Sequence, residues 1–586
     1  MADPLRTLNR LVSAAMVAAL GDAAGETPDP VLRRSSQERF GDYQANFAMA
    51  LAKRLDLPPR QVAERVAAEL ATDGVLAKVE VAGPGFLNLT LDDAFIAGEV
   101  EAALDDTHFG VPRAEASHRF VVDYAGPNVA KEMHVGHLRS SVIGDALVRV
   151  LEWLGHDVLR QDHLGDWGTQ FGMLIEHLAD LGWAAEPGAE HHIGDLDDLY
   201  RQANEKFGRD PDFAERGRRR VVALQRGDQD TRALWDSLVA ESRRHFSEVY
   251  RRLGLTLSDA DSRPESFYND MLDDVVEELT AKGLLRVDDG ALCAFPPGFT
   301  SRDGSPLPLI VRKSDGGYGY QATDLAGIRY SVEELGGDRL VYVVDSGQSQ
   351  HFAMVFAVAR QAGWIDGGAS AEHVAFGMVL GPDRKRLRTR TGGSIKLIEL
   401  LDEAVQRAVE VVEAKSPDLP PAERSAVAEA VGIGAVKYND LVNDRSSDYI
   451  FDWARMLAMD GNTAPYLQYA HARIRSIFRR VQETTPGGAG AAGPVTLAEP
   501  AERNLALALA GFDGAVHSMA EHLQPHRLTG YLFELASAFT AFYESCPVLR
   551  APTDELRGSR LALCELTASI LAQGLELLGI EAPERM

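Results

Sequence analysis

Two histidines, His134 and His137, flank Gly136 at the end of the string Pro127-Asn128-Val129-Ala130-Lys131-Glu132-Met133-His134-Val135-Gly136-His137. At helical spacing they share one face, about one turn apart, and a glycine between them lets a flat adenine or ribose approach the backbone. As zinc ligands the pair would need a third partner and the i, i+4 spacing usual on a helix. The elements that must position them lie on either side. Arg119 to Tyr124 reads as a buried strand through Phe120, Val121 and Val122, and Gly126-Pro127-Asn128 as a turn. Leu138, Val142, Ile143, Ala146, Leu147, Val150 and Leu151 then form one face of a long helix. Strand, tight turn and helix open a doubly wound nucleotide-binding sheet, and a helix N-terminus offers unpaired N–H groups and positive dipole to phosphates.

A second candidate for phosphate chemistry is Arg384-Lys385-Arg386-Leu387-Arg388-Thr389-Arg390-Thr391-Gly392-Gly393. By composition alone it is a solvated basic loop. Its place directly after a predicted core strand, His373 to Leu380, with paired glycines for mobility, favours cations set where charge develops on a leaving group. Glu190-His191-His192 reads as a solvated loop, because adjacent histidines point apart and no Cys or third His stands at useful spacing.

The chain has 586 residues, with 60 Lys+Arg against 87 Asp+Glu, a net charge of −27, and 45% hydrophobic residues. That composition supports sizeable cores and about four domains. It argues against non-specific coating of nucleic acid, which Lys and Arg dominate, while leaving room for local basic grooves. One stands out: His471 to Arg480 carries four arginines and no acid, on a helix leading from Tyr466 and Tyr469. Basic residues interleaved with aromatics suit single-stranded RNA, although Ile474, Ile477 and Phe478 also make a core face. The three cysteines, Cys293, Cys546 and Cys564, are too scattered for a disulfide framework or a zinc knuckle, which fits a reducing, cytoplasmic compartment. No run approaches the ~20 apolar residues of a membrane span. Leu5, Leu8, Val12, Met16 and Ala19 recur at helical spacing, so the N-terminus reads as an amphipathic surface helix rather than a secretory leader.

Residues 1 to about 115 read as a separate α+β unit, and about 185 to 310 as a polar inserted subdomain. Strand-like segments return at Leu309 to Val311, Leu340 to Val344 and His373 to Val379, as the second half of the same sheet. From about residue 400 the chain reads as almost wholly helical, interrupted by a flexible Gly- and Ala-rich loop, Pro486 to Pro494.

The histidine string resembles the nucleotide-binding signature of the class I aminoacyl-tRNA synthetases. Its fuller form, Pro-Asn-x-Ala-Lys-x-x-His-x-Gly-His, is similar to that of the arginyl-tRNA synthetase family. The resemblance continues through Gly41-Asp42-Tyr43-Gln44, Gly165-Asp166-Trp167-Gly168-Thr169-Gln170-Phe171-Gly172, Tyr320-Gln321-Ala322-Thr323-Asp324-Leu325, Asp460 to Tyr469 and the terminal Pro583-Glu584-Arg585-Met586, so it covers essentially the whole chain. It implies a Rossmann-type doubly wound parallel sheet as catalytic core, with an N-terminal α+β domain and a C-terminal all-α anticodon-binding bundle. The expected boundaries are 1–115 for the N-terminal additional domain, 116–185 and 311–400 for the halves of the core, and 186–310 for a connective insertion. A helical junction over 401–455 and the anticodon-binding domain over 456–586 complete them.

The activity implied is that of an arginine–tRNA ligase, acting on L-arginine, MgATP and the arginine tRNA, with tRNA bound before activation and no zinc or organic cofactor. No obligate protein partner, a monomeric state and no editing domain are expected. His134, His137 and Lys131 are the implied catalytic residues, with His134, Val135, Gly136, His137, Gly165 and Asp166 at ATP. The family's second signature, Lys-Met-Ser-Lys-Ser, is replaced here by the 384–393 run, so Arg386, Arg388 and Arg390 stand for its cations, aided by Lys131. Tyr320 and Asp324 are implied at the guanidinium, Asp123, Asn128 and Gln348 at the amino and carboxyl ends, and Glu265 as a further guanidinium partner. Tyr43, Gln44 and Asn46 are implied at the tRNA D-loop, where Phe40, Tyr43 or Phe47 could stack on a base. Tyr466, Gln468, Arg473, Arg475 and Met586 are implied at the anticodon. Two other readings share parts of this pattern: an adenylating ligase that uses no tRNA, and a catalytically retired RNA-binding protein.

Overall fold

The computed structural model describes residues 3–35, 37–72, 74–183, 196–388, 395–484 and 493–586. They group into two compact units: Met1–Arg113 with Ala458–Glu576 and Glu581–Met586, and Ala114–Leu457 with Leu577–Ile580. Among the described residues no helix is long and apolar enough to cross a membrane.

The first unit opens with the helix Pro4–Leu20, started by Asp3, whose Oδ1 accepts the Leu5 N–H at 2.9 Å. It buries Leu8, Val12 and Met16 and half-buries Leu5 and Ala19, the face read from the sequence. A four-stranded antiparallel sheet follows, in the order Leu32–Arg34, Tyr43–Ala45, Phe86–Leu91, Leu76–Ala82. The helices Ala464–Thr484, Pro500–Leu509, Phe512–His522 and His526–Ser545 belong to the same unit.

Here the Gly41-Asp42-Tyr43-Gln44 string is architectural. Gly41 has a φ of +74°, and a Cβ on it would lie 2.7 Å from the Leu89 carbonyl oxygen. Asp42 accepts the Leu91 N–H at 2.8 Å and both Nη groups of Arg503, at 2.7 and 2.9 Å, while Arg503 Nε reaches Asp93 at 2.6 Å. Arg503→Lys keeps the charge and loses the fork. It is expected to cost about 1–2 kcal/mol, seen as a lower denaturation midpoint in urea; an unchanged midpoint would show that the pair contributes nothing.

The second unit is built on a four-stranded parallel sheet in the order Ser370–His373, Arg339–Tyr342, Arg119–Asp123, Asp157–Gln161. The chain leaves the central pair, Arg119–Asp123 and Arg339–Tyr342, in opposite directions. Their carboxyl ends, Asp123 beside Tyr342 in register, therefore form a topological switch point, the place where open α/β sheets bind ligands. The signature helix, Val135–Trp153, follows the first strand and buries all seven apolar residues predicted for its face. Beneath it Arg139, 1% exposed, has Nε 3.2 Å from Asp440 and donates from Nη1 to the Ser447 carbonyl at 2.9 Å, fastening the helix to Pro421–Leu441.

One predicted strand belongs elsewhere. Leu309–Arg312 pairs antiparallel with Ala291–Ala294 in a separate three-stranded sheet, not with the parallel core. A short apolar run shows that a strand forms but carries no information about its partner. The stretch from His373 to Val379 is likewise divided: Ser370–His373 closes the main sheet, and Val379–Leu380 pairs with Tyr449–Ile450. Of the expected loop 486–494, residues 486–492 lie outside the described residues, as do Glu190, His191 and His192.

Candidate active site

The histidines of the signature string close the N-terminus of their own helix. His134 is the N-cap; its Nδ1 accepts the Gly136 N–H at 3.0 Å, and the His134 N–H is donated to His137 Nδ1 at 3.1 Å. This is a capping box made from imidazoles, with ring centroids 4.1 Å apart. A neutral imidazole that accepts at Nδ1 carries its proton on Nε2, so in both rings the donor is Nε2–H. Burial, then His134, Lys131 and Arg386, push His137 down to about 3, which keeps it neutral.

Two expectations change here. The backbone donors expected for phosphates are already spent: Val135 N–H on the Ile395 carbonyl at 3.1 Å, Gly136 N–H on His134, and His137 N–H on the His134 carbonyl at 2.8 Å. Val135 itself is a core side chain, 5% exposed. Gly136 is required by the cap as well, since a Cβ on it would lie 2.7 Å from His134 Cε1. The same Cβ would lie 3.6 Å from Arg386 Nη2, so Arg386 reaches over this helix end.

Arg386 is placed by a hairpin, Leu380 bridging Arg386 and Gly381 N–H bonding the Lys385 carbonyl at 2.8 Å. Arg388 is exposed farther along, and Arg390 lies outside the described residues. The far side of this segment returns to the signature turn, where Leu397 N–H bonds the Met133 carbonyl at 2.8 Å and Lys396 Nζ meets Glu132 at 3.0 Å. Lys131 precedes the histidines in a turn held by Ala130, at φ +63°, whose N–H bonds the buried Ser242 Oγ at 2.9 Å. Its Nζ lies 4.7 Å over the ring of Tyr200.

Carboxylates converge at the switch point. Asp123 ends the first strand, and Asp324 stands one turn beyond Tyr320 in the helix Tyr320–Glu333. Burial, reinforced by Asp162 and Asp324, raises Asp123 well above the usual carboxylate range. Burial, then Asp166 and Asp324, lifts Glu265 to about 7. Asp162, missed in the sequence, is also lifted to about 7 by burial, although Tyr250 Oη donates to it at 2.9 Å and Gly126 N–H at 3.1 Å. It directly follows the strand Asp157–Gln161, so the strand-end rule that singled out Asp123 could have found it too.

Gly165 and Asp166 make their contacts within the protein. Asp166 is fully buried and accepts the Ser266 N–H at 2.9 Å and Oγ–H at 2.5 Å, and its charge is one of those that raise Glu265. Gly165 pairs with Asn128, its N–H bonding the Pro127 carbonyl at 3.1 Å, and a Cβ there would strike Asn128 Oδ1. Tyr320 and Gln348 are both exposed, Gln348 ending the turn Ser346–Gln348 that leads into the helix Ser349–Ala362.

A cluster of buried acids lowers its energy when a cation enters, and each acid raised toward neutrality then loses its proton. On the expectation that Glu265 meets the guanidinium of arginine, binding should release protons from Glu265. The KM for arginine should then fall, by up to roughly tenfold per pH unit, as pH rises toward 7, and level off above it. Exchange kinetics measured from acid to neutral pH test this, with the KM for ATP as control. A KM for arginine that is flat across that range would exclude the coupling.

In the first unit the expected tRNA residues divide. Tyr43 and Phe47 are core residues, 4% and 1% exposed, which leaves Phe40 as the half-buried aromatic of that string. Gln44 donates to Asn88 Oδ1 at 2.8 Å, and the Asn46 N–H bonds the Pro30 carbonyl at 3.0 Å. Gln468 is wholly buried, donating to the Glu581 carbonyl at 2.8 Å, and Arg475 pairs with Glu565 at 3.2 Å and Glu584 at 3.3 Å. Both therefore brace the C-terminal tail that ends in the half-buried Met586, because a helix face rich in donors can be satisfied by the chain's own carbonyls. Arg473 lies against the rings of Tyr469 and Tyr543, at 4.8 and 5.3 Å, and Tyr466 Oη meets Thr540 Oγ1 at 3.1 Å.

A parallel sheet with a histidine-capped helix at its switch point defines a class I synthetase core, and residues 99–453 match the family model for class I tRNA synthetases (R), catalytic domain. Residues 6–91 match the arginyl tRNA synthetase N terminal domain, and 467–586 the DALR anticodon binding domain. The arginine–tRNA ligase of Thermobifida fusca is 54% identical over 100% of both chains, and that of Escherichia coli 47% identical over 99% of each. Among solved structures, the arginyl-tRNA synthetase of Plasmodium falciparum superposes with a TM-score of 0.85 at 28% identity, covering 100% of both chains. That of Thermus thermophilus gives 0.80 at 27% identity, over 99% of this chain and 100% of its own. The chain belongs to the arginyl-tRNA synthetase family.

Proposed function

We infer that the chain is an arginine–tRNA ligase. The α-carboxylate of L-arginine attacks the α-phosphorus of ATP, giving arginyl-adenylate and pyrophosphate. The terminal ribose hydroxyl of tRNA then attacks the adenylate carbonyl, and AMP leaves. Neither step needs a covalent enzyme intermediate, so catalysis rests on alignment and on charge placed where it develops.

What supports this reading is that a mutually repelling acid cluster, Asp123, Asp324 and Glu265, and a histidine-capped helix end belong to the same parallel-sheet core. Asp324, Glu265 and Tyr320 take the guanidinium, while Asp123, Asn128 and Gln348 take the amino and carboxyl ends. His134, His137, Lys131 and Arg386 take the phosphates. Arg386 is the cation for the leaving pyrophosphate, since it reaches over Gly136. Mg²⁺ enters with ATP, held largely by phosphates and water; the pocket acids Asp162 and Asp166 are committed to Tyr250 and Ser266. The N-terminal domain contacts the tRNA D-loop and the helical domain the anticodon, with Arg473 between Tyr469 and Tyr543 as a stacking surface. The enzyme works as a cytoplasmic monomer and activates arginine efficiently only with tRNA bound.

Pyrophosphate exchange with each amino acid, with and without its tRNA, tests the reading. Arginine-selective exchange stimulated by the arginine tRNA is the expected result. Exchange that needs no tRNA would point to a tRNA-independent adenylating ligase, and none at all to a retired RNA-binding protein.

A further inference from the structure

We propose that His351 is a positioning and specificity-determining residue, which holds the Asp324 carboxylate in the plane that a guanidinium fork requires. The proposal rests on the reading of Asp324 as the guanidinium acceptor.

His351 Nε2 lies 2.5 Å from Asp324 Oδ2. With the carboxylate as acceptor, the imidazole donates from Nε2. The pair is sheltered, with side chains 12% exposed for His351 and 18% for Asp324. The imidazole is itself wedged between two rings, Tyr320 edge-on at 4.9 Å and Phe352 edge-on at 5.3 Å.

A carboxylate on a helix turns readily about its terminal torsion, whose energy profile is broad. Recognition of guanidinium by two parallel N–H···O bonds needs that plane fixed and both oxygens available. The two oxygens offer about four acceptor directions. His351 uses one of them, which sets the plane and leaves enough for a fork. An ammonium gains nothing from the fixed plane, so the constraint favours arginine over lysine.

The location adds a second function. His351 sits in the first turn of Ser349–Ala362, three residues after Gln348. One rigid helix thus carries the residue assigned to the substrate's carboxyl end and the prop for the acceptor of its side-chain end. The distance between the two subsites is referenced to that helix, which suits the length of an arginine side chain.

The test uses full-length protein in arginine-dependent pyrophosphate exchange with tRNA present. His351→Ala is expected to raise the KM for arginine by roughly tenfold, with kcat and the KM for ATP within about twofold and the melting temperature unchanged. His351→Gln, which keeps an N–H donor, recovers most of the loss. Should the alanine variant fail to fold, His351→Asn, too short to span the gap, takes its place. Equal losses in kcat and in both KM values, or a glutamine variant no better than alanine, would overturn the proposal. Equilibrium binding of arginine separates it from the reading beneath it. If Asp324→Asn leaves binding unchanged, the guanidinium assignment itself is wrong. If Asp324→Asn weakens binding and His351→Ala does not, only the role of His351 falls. When both weaken it, the double variant should be no worse than Asp324→Asn, and a further independent loss would show that His351 acts elsewhere.

Discussion

Asp324→Ala lowers arginine-dependent pyrophosphate exchange by at least about two powers of ten. The estimate follows from the roughly 3–5 kcal/mol lost when one partner of a buried charge pair is removed. Asp324 is the common neighbour of the pocket acids, adding to the upward push on Asp123 and Glu265. The alanine variant leaves a guanidinium with its fork unmatched, and His351 without its partner at 2.5 Å. The loss should fall on the KM for arginine, since the histidine-capped helix end that takes ATP is untouched. It should also lower Glu265 toward the ordinary carboxylate range, because one of the repelling charges is gone. The pH dependence of any residual arginine binding should then flatten. An unchanged arginine dependence would remove Asp324 from the pocket.

Gly136→Ala should cost roughly two powers of ten in kcat, the scale of losing one aligned donor in a transition state. Its effect on stability should be close to nil, because the helix preference of alanine is offset by the loss of the cap bond, each about 1 kcal/mol. Replacing a helical glycine by alanine ordinarily favours the helix by about 0.5–1 kcal/mol. At this position the new methyl would sit 2.7 and 2.8 Å from His134 Cε1 and Nδ1. A side chain can move where backbone cannot, so the imidazole swings away and the fold survives. What is lost is the bond from Gly136 N–H to His134 Nδ1, and with it the fixed tautomer that presents Nε2–H. Thermal melting and exchange kinetics on one preparation decide the matter: a nearly unchanged melting temperature with a deep fall in kcat is expected. Full activity in Gly136→Ala would show that the cap geometry is irrelevant to catalysis.

The signature helix and the strand before it were legible because their signals are local. A buried strand, a turn and a face repeating at helical period require only neighbouring residues to be read. The strand Leu309–Arg312 shows the limit of that reading: its apolar pattern announced a strand, but its partner, Ala291–Ala294, was set by antiparallel pairing outside the main sheet. Tyr43 and Gln468 show another. A tyrosine or glutamine inside a motif shared with RNA-binding relatives looks the same whether it faces a ligand or the core, and here Tyr43 is 4% exposed and Gln468 wholly buried. Asp166 was visible as part of a motif, yet only the tertiary structure pairs it with Ser266, 100 residues away and next to Glu265.

The sequence by itself determined the class of chemistry: two imidazoles with a glycine between them at a strand-to-helix turn, a basic run beyond a later strand, and Tyr320 and Asp324 one helical turn apart. Those are statements about residue type and short spacing, which backbone periodicity makes legible. Only the tertiary structure decided how the parts work together. It turned the helix end from a set of backbone donors into a pair of capped imidazoles, since Val135, Gly136 and His137 N–H groups are all taken by the protein. It brought Arg386 over Gly136, 250 residues earlier in the chain, and set His351 against Asp324 across 27 residues. The physical reason is the same in each case. A buried polar atom must find a partner, and which partner it finds depends on packing between distant elements that no local pattern encodes.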